Sequence, residues 1–208
     1  YVSHNMNTIR QLCDRCIVLD KGKIVFEGDV ETAIGVYMQN GVSILSPNVD
    51  LTGAAHPIKY KGFRMERFCF TGVNGPIMKP GDQIPFELHI RGETNCSNMR
   101  FRCMVYCTEG TPVAMATSKG DDITLVPGEN IVCGTINTAC LVPGNYSLRI
   151  ALYSTNEYGG ELPYDMVDRT AHFAIEETGH ANNMIWNHSM WGHVSLDTIE
   201  LSMKTAAN

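Results

Sequence analysis

Residues 80–91 have the sequence PGDQIPFELHIR, and this stretch decides the fold class. A Pro-Gly-Asp turn is followed by apolar residues at every second position, with mostly polar residues between them. Because successive side chains of a β-strand point to opposite faces, this alternation predicts a strand with one buried and one outer face. The predicted buried residues are Ile84, Phe86, Leu88 and Ile90.

The same alternation returns along the rest of the chain, in short runs separated by turns at intervals of roughly ten residues. Pro-Gly pairs precede two of these runs. Many short strands with regular turns are typical of an antiparallel sandwich, so we predict a mainly β fold whose β-sandwich occupies residues 62–208. The predicted runs include residues 101–107, 131–138, 146–152 and 169–175.

The first 40 residues have the pattern of a small α/β unit. Apolar residues at helical spacing begin at Ile9, a hairpin is predicted over residues 16–26, and Asp29 is placed to cap a second helix. The next stretch contains prolines and glycines without a sustained period, which indicates a linker. We therefore predict an α/β unit at 1–40, a linker at 41–61 and the sandwich at 62–208.

The charge and hydropathy of the chain exclude several classes of protein. The 208 residues carry a formal net charge of −6, whereas nucleic-acid binding needs a surplus of Lys and Arg. We therefore expect no nucleic-acid partner. No apolar run reaches the length of about 18 residues that a membrane-spanning helix needs. The first residues lack the pattern of a secretory signal, so we expect the chain to begin inside a longer protein.

The eight cysteines leave two interpretations open for one pair. Cys13 and Cys16 form a C-x-x-C motif, which is compatible with metal or redox chemistry, but no second pair follows at zinc-finger spacing. The favoured interpretation is free thiols in a reducing compartment. The seven histidines show no i,i+4 or strand-paired spacing, so we predict no metal site.

Motifs for catalysis are absent from the sequence. There is no phosphate-binding G-x-x-x-x-G-K-[ST] loop, no G-x-S-x-G elbow and no H-E-x-x-H pair. Asp121-Asp122 and Glu176-Glu177 are adjacent carboxylates, but neighbours on a strand point to opposite faces, which suits solvated turns better than a glycosidase pair. We therefore expect no enzymatic activity from this segment on its own.

The first 40 residues resemble the last part of an ABC-transporter ATPase. The resemblance lies in Val2-Ser3-His4, followed by a helix, and in the stretch from Cys13 to Ile24, CDRCIVLDKGKI, which is similar to the hairpin that follows the switch-loop histidine. The β-sandwich after this tail narrows the resemblance to the Wzt type of subunit, the ATP-binding component of bacterial O-antigen and related polysaccharide exporters. Pro80-Gly81-Asp82 and the entry Leu141 to Tyr146 match its sandwich.

This resemblance implies a set of roles and partners. His4 would contact the terminal phosphate of ATP in the full-length protein, where ATP and magnesium would be the cofactors, while this segment alone would hold no cofactor. The partners would be the exported polysaccharide, the membrane-spanning permease and a second copy of the chain in a homodimer formed by strand exchange. The protein would lie in the cytoplasm, at the inner face of the bacterial plasma membrane. The sandwich would be immunoglobulin-like and would bind the glycan.

Alternation also predicts where a glycan would bind. If runs 101–107, 147–153 and 169–175 share one sheet, as three strands of an immunoglobulin-like sandwich do, their outer residues fall on one face. Aromatic rings stack on sugars, and guanidinium groups bind hydroxyl or acidic groups. The proposed carbohydrate-binding residues are Arg102, Tyr106, Arg149, Tyr153 and His172.

One alternative remains open for this surface. A helix, the linker or a dimer partner would cover the same face if the sandwich served only for dimerisation or docking. Trp186 and Trp191 lie in a polar stretch, where anchoring a terminal strand fits their large surface better than stacking on sugar. Tyr146 enters its strand at the position of a structural tyrosine corner.

Overall fold

The computed structural model describes residues 9, 12–20, 22–40, 45–119, 123–176 and 186–196. His4 lies outside these ranges, so its predicted role stays a prediction. The described strands are β1 Cys16–Asp20, β2 Lys23–Gly28, β3 Asn48–Asp50, β4 Phe63–Phe70, β5 Ile77–Met78, β6 Gln83–Gly92, β7 Cys96–Cys107, β8 Pro112–Thr117, β9 Ile123–Leu125, β10 Gly128–Asn137, β11 Gly144–Thr155 and β12 Glu161–Ile175. The helices are α1 Val30–Asn40 and α2 His188–Trp191.

Ten of these strands form two sheets that share one core, and the predicted mainly β sandwich is confirmed. Sheet I has the order β10-β6-β4-β3 and is antiparallel throughout. Sheet II has the order β5-β12-β11-β7-β8, with β9 paired to the start of β7. The long strands of sheet II pair antiparallel, and β5 adds a short parallel edge to β12.

The core confirms the alternation that the sequence predicts. In β6, Ile84 and Leu88 are fully buried, and in β7 Cys103 is fully buried. The ring of Phe86 in sheet I stacks on that of Phe101 in sheet II, with centroids 5.2 Å apart. Burial of these apolar side chains from both sheets supplies the main stabilisation of the sandwich.

The N-terminal residues form the predicted hairpin and helix. Strands β1 and β2 pair antiparallel across the turn at Gly22, whose φ of 78° suits glycine. The carboxylate of Asp29 accepts a hydrogen bond from the backbone N–H of Thr32, at 2.9 Å, and so caps α1 as expected. The buried side chains of Ala33 and Ile34 lie on this helix.

The stretch predicted as a linker contributes to the sandwich. Residues Asn48–Asp50 form the edge strand β3, which pairs with β4, and Leu51 is fully buried in the core. His56 Nδ1 lies 2.8 Å from the carboxylate of Asp165, a fully buried residue of β12. Alternation did not reveal β3 because three residues are too few to show a period.

Asp165 ties the two sheets together. Its Oδ2 accepts a hydrogen bond from the backbone N–H of Met65 at 2.8 Å, and its Oδ1 accepts one from Arg64 at 3.2 Å. Met65 and Arg64 belong to sheet I, whereas Asp165 belongs to sheet II. A buried carboxylate is costly unless it is paired, and these donors supply the pairing.

The C-terminal described residues pack against one end of the sandwich. Val194 forms an isolated bridge with Leu141, and the rings of Trp186 and Trp191 meet edge to face, 5.6 Å apart. The Trp186 indole N–H donates to the carbonyl of Gly192 at 2.7 Å. The final strand expected near residues 194–201 lies mostly outside the described residues. No helix among the described residues is long and apolar enough to cross a membrane.

Candidate functional site

Sheet II brings the predicted binding residues onto one surface. Strand β11 pairs with β7 on one side and with β12 on the other. Ser147 lies opposite both Tyr106 and His172, so these three residues form a row across the sheet. The expectation that the three runs share one sheet is therefore confirmed. We call the outer surface around them the arginine face; it is formed by Arg102, Tyr106, Arg149, Tyr153, Glu161, Asp168, Arg169 and His172.

The first half of the arginine face is a cluster around the ring of Tyr106. The guanidinium carbon of Arg149 lies 4.9 Å from the ring centre, and that of Arg169 lies 5.6 Å from it. Asp168 joins the two cations: its carboxylate accepts a hydrogen bond from Arg149 Nε at 2.8 Å and lies 3.5 Å from Arg169 Nε. Cation–π contacts and ion pairs together hold the guanidinium groups in place.

Arg169 is a site residue that alternation missed. The register passes from Leu148 opposite Ala171 to Ile150 opposite Val167, so three residues of β12 oppose one residue of β11. Arg169 has a φ of 48°, in the left-handed region that non-glycine residues rarely adopt. This bulge brings Arg169 over Tyr106, whereas strict alternation would have turned it inward with Ala171.

The second half of the face is a cluster around Tyr153. The guanidinium carbon of Arg102 lies 4.5 Å from the centre of the Tyr153 ring. Arg102 also forms an ion pair with Glu161 through one of its terminal nitrogens. The Arg102 Nε is buried and has no hydrogen-bond partner among the described residues. A buried donor without a partner is rare in folded proteins.

One expectation about this face is wrong: Tyr106 and Tyr153 are not exposed. Each is only 6% exposed, because the arginines lie across their rings. The side chains that reach solvent are the three arginines and the two carboxylates paired with them: Arg149 is 31% exposed, Arg169 39% and Arg102 23%, while Asp168 is 33% and Glu161 51% exposed. Alternation predicts which face a residue lies on, but it does not predict what neighbouring long side chains cover. The surface therefore presents guanidinium groups that are supported by tyrosines and paired with carboxylates.

The charges of the face are fixed near neutral pH. Burial opposes ionisation of Asp168, but the hydrogen bond from Arg149 and the two nearby guanidinium charges outweigh it and lower its pKa. The hydrogen bond from Arg102 likewise lowers the pKa of Glu161. Burial, aided by the charge of Arg169, lowers the pKa of His172, so its imidazole is neutral at pH 7. Three cations against two carboxylates leave the face positive in a chain of net charge −6.

Tyr146 has the structural role that its position predicts. Its hydroxyl donates a hydrogen bond to the carbonyl of Val142, four residues upstream, at 2.7 Å. Burial raises the pKa of this hydroxyl well above its ordinary value. The residue belongs to the inner side of β11 and takes no part in the arginine face.

Comparisons with known proteins place this fold in a family. No curated protein matches the chain. Among solved structures, the crystal structure of the C-terminal domain of Wzt matches with a TM-score of 0.57 at 13% identity, covering 73% of this chain and 90% of that one. A CARDB domain from Pyrococcus furiosus matches at a TM-score of 0.32 and 12% identity, covering 57% of this chain and 98% of that one, which is too low to support an argument. The Wzt C-terminal domain family matches residues 58–188.

The match spans more than half of the chain and includes both sheets from β4 onward, together with every residue of the arginine face. The similar solved structure supports the same fold. The chain therefore belongs to the Wzt C-terminal domain family, the non-ATPase C-terminal part of a transporter subunit.

Proposed function

We propose that this chain is the polysaccharide-recognition module of an ABC exporter subunit and that it binds the exported glycan on the arginine face. The observation that carries this proposal is the set of partly exposed guanidinium groups held over buried tyrosines. An arginine that is already oriented loses little conformational freedom when it binds a ligand.

The geometry favours a ligand rich in paired acceptors. A guanidinium group presents its N–H donors in a planar fork, which matches adjacent sugar hydroxyls or the two oxygens of an acidic substituent. Arg149 and Arg169 flank one tyrosine, and Arg102 lies over the second. The tyrosines act as supports for these cations, since their rings are covered.

In the whole transporter, this recognition would be coupled to ATP-driven export. Family membership and the ABC-like sequence of residues 1–40 support that setting. His4 would then contact the terminal phosphate of ATP, while ATP and magnesium would bind mainly to sequence upstream of this chain. The permease and a second copy of the chain would be its protein partners, at the inner face of the plasma membrane.

The test is affinity electrophoresis or calorimetry with the polysaccharide of the source bacterium, using Arg102→Lys and Arg149→Lys. Each variant keeps the charge and removes the fork, so we expect glycan affinity to fall at least about tenfold, or roughly 1.4 kcal/mol. The matched control is Arg91→Lys, which changes an exposed arginine on the outer surface of sheet I.

Equal affinity in all three variants would overturn the proposed binding face. A shift in oligomeric state by sedimentation, with glycan affinity unchanged, would instead support the docking alternative. The same polysaccharide with its non-reducing end removed would distinguish recognition of the chain terminus from recognition of the repeat.

A further inference from the structure

A second group of reactive side chains converges at one end of the sandwich, outside the arginine face. A cavity of about 250 Å³ lies between the turn after β7, the start of β11 and helix α2. Glu109, His188 and His193 are among the residues that line it. The buried thiol of Cys107 belongs to the last residue of β7, directly before this turn.

The side chains in this group are close enough to share one ion. One ligand atom from each of Cys107, Glu109 and His193 lies within 4.8 Å of the other two. His188 adds a second imidazole, since its Nδ1 lies 3.1 Å from the Nδ1 of His193. Gly144 leaves space for the His188 ring, because a Cβ atom at this position would lie only 3.3 Å from it.

These distances suit a small tetrahedral metal ion. Zinc binds thiolate sulfur at about 2.3 Å and imidazole nitrogen at about 2.0–2.1 Å, so neighbouring ligand nitrogens lie about 3.3 Å apart. The separation of the two Nδ1 atoms, 3.1 Å, is close to this value. The ligand atoms of Cys107, Glu109 and His193 lie within 4.8 Å of one another, so metal binding would draw these side chains closer together. A donor set of thiolate, imidazole and carboxylate binds zinc in preference to magnesium or calcium, which take oxygen ligands.

We propose that Cys107, Glu109 and His193, with His188 as a fourth ligand, bind a divalent transition-metal ion of the zinc type. Without metal, one imidazole donates a hydrogen bond to the other. On binding, the donor imidazole carries its proton on Nε2 instead of Nδ1, so that both Nδ1 atoms are free to bind the ion, and Cys107 releases its thiol proton to solvent.

The site has a structural consequence for the C-terminal segment. Two backbone hydrogen bonds join this segment to residues 140–142: Val142 N–H to the His193 carbonyl at 3.3 Å, and Ser195 N–H to the Cys140 carbonyl at 2.9 Å. A metal ion would add bonds from the same segment to the end of β7. It would act as a clip, which is the usual role of closed zinc sites with several protein ligands.

The experiment measures metal content and spectra of the full 208-residue chain. After removal of metal with a chelator and dialysis against Zn²⁺, we expect about one bound ion per chain. With Co²⁺ as the probe, we expect the visible bands of tetrahedral cobalt and a thiolate charge-transfer band. His193→Gln and Glu109→Gln should weaken Zn²⁺ binding by at least about tenfold, and Cys107→Ser should remove the charge-transfer band.

Cys133→Ser is the matched control, because Cys133 is an exposed thiol on β10 in the other sheet. It should leave metal content and spectra unchanged. The proposal is overturned if the folded wild-type chain binds no stoichiometric Zn²⁺ or Co²⁺, or if His193→Gln and Glu109→Gln, with their folds verified by circular dichroism, bind as tightly as the wild type. Glycan binding is measured separately, so failure of this site and failure of the arginine face are distinguishable.

Discussion

The two outer surfaces of the sandwich follow the same alternation but use their arginines differently. On sheet I, Arg91 donates two hydrogen bonds to Glu66, at 2.8 and 3.2 Å, and its side chain is 55% exposed. On sheet II, Arg149 lies across the ring of Tyr106 and is 31% exposed. An exposed ion pair stabilises a fold by little, whereas a cation held over a buried ring is fixed in position. Arg149 is therefore held more rigidly than Arg91.

The largest expected effect comes from removing a supporting ring. Tyr106→Ala should lower the free energy of unfolding by about 3 kcal/mol, because it deletes a nearly buried aromatic side chain. Ile131→Ala is the matched change on sheet I, where Ile131 is 54% exposed, and it should cost less than about 1 kcal/mol. Urea denaturation measures both. Similar losses for the two variants would mean that the arginines do not cover the tyrosine.

A smaller effect is expected from the carboxylate that joins two arginines. The pKa of Asp168 is lower in the folded chain than its ordinary value, so its contribution to stability is present above the unfolded pKa of about 3.9 and is lost as pH falls through the folded pKa. Asp168→Asn should therefore be less stable than the wild type by about 1 kcal/mol at pH 7, and this difference should shrink in acid.

Unfolding free energies of the wild type and Asp168→Asn between pH 7 and pH 3 measure this change. Thr170→Ser serves as a control substitution on the same strand. A difference between the wild type and Asp168→Asn that stays constant over the whole range would contradict an ionic role for this carboxylate.

The smallest effect is expected on sheet I. Glu66→Gln removes the charge that Arg91 contacts, yet the pair is largely solvated, so stability should change by less than about 0.5 kcal/mol. Glycan affinity should not change. A loss of more than about 1 kcal/mol on denaturation, or weakened glycan binding, would remove the contrast between the two surfaces.

Alternation in the sequence was enough to predict the sandwich and to place five binding candidates on one sheet. Ile84, Phe101 and Leu148 all point inward as expected, because a two-residue period survives in long strands. The coverage of Tyr106 was not predictable in this way, since it depends on which residues lie side by side across strands. Arg169 was missed for a related reason: its bulge breaks the period at the site itself.

The proposed metal ligands show a second limit of predicting a site from residue spacing in the sequence. Cys107 and His193 are far apart in the chain and approach each other only because the C-terminal segment returns to the end of β7. His188 and His193 do have a spacing that occurs in zinc motifs, but no cysteine pair accompanies them nearby in the sequence, so no metal site was predicted.

The buried carboxylate of Asp165 has a mechanical consequence. It lies on β12, three residues before Asp168, and its oxygens hold His56, Arg64 and the backbone of Met65 across the sandwich. Sliding β12 along its axis would break all three bonds at once, at a site where water cannot replace them. A displacement of β12 would therefore also displace His56, Arg64 and Met65, which lie where the chain enters the sandwich.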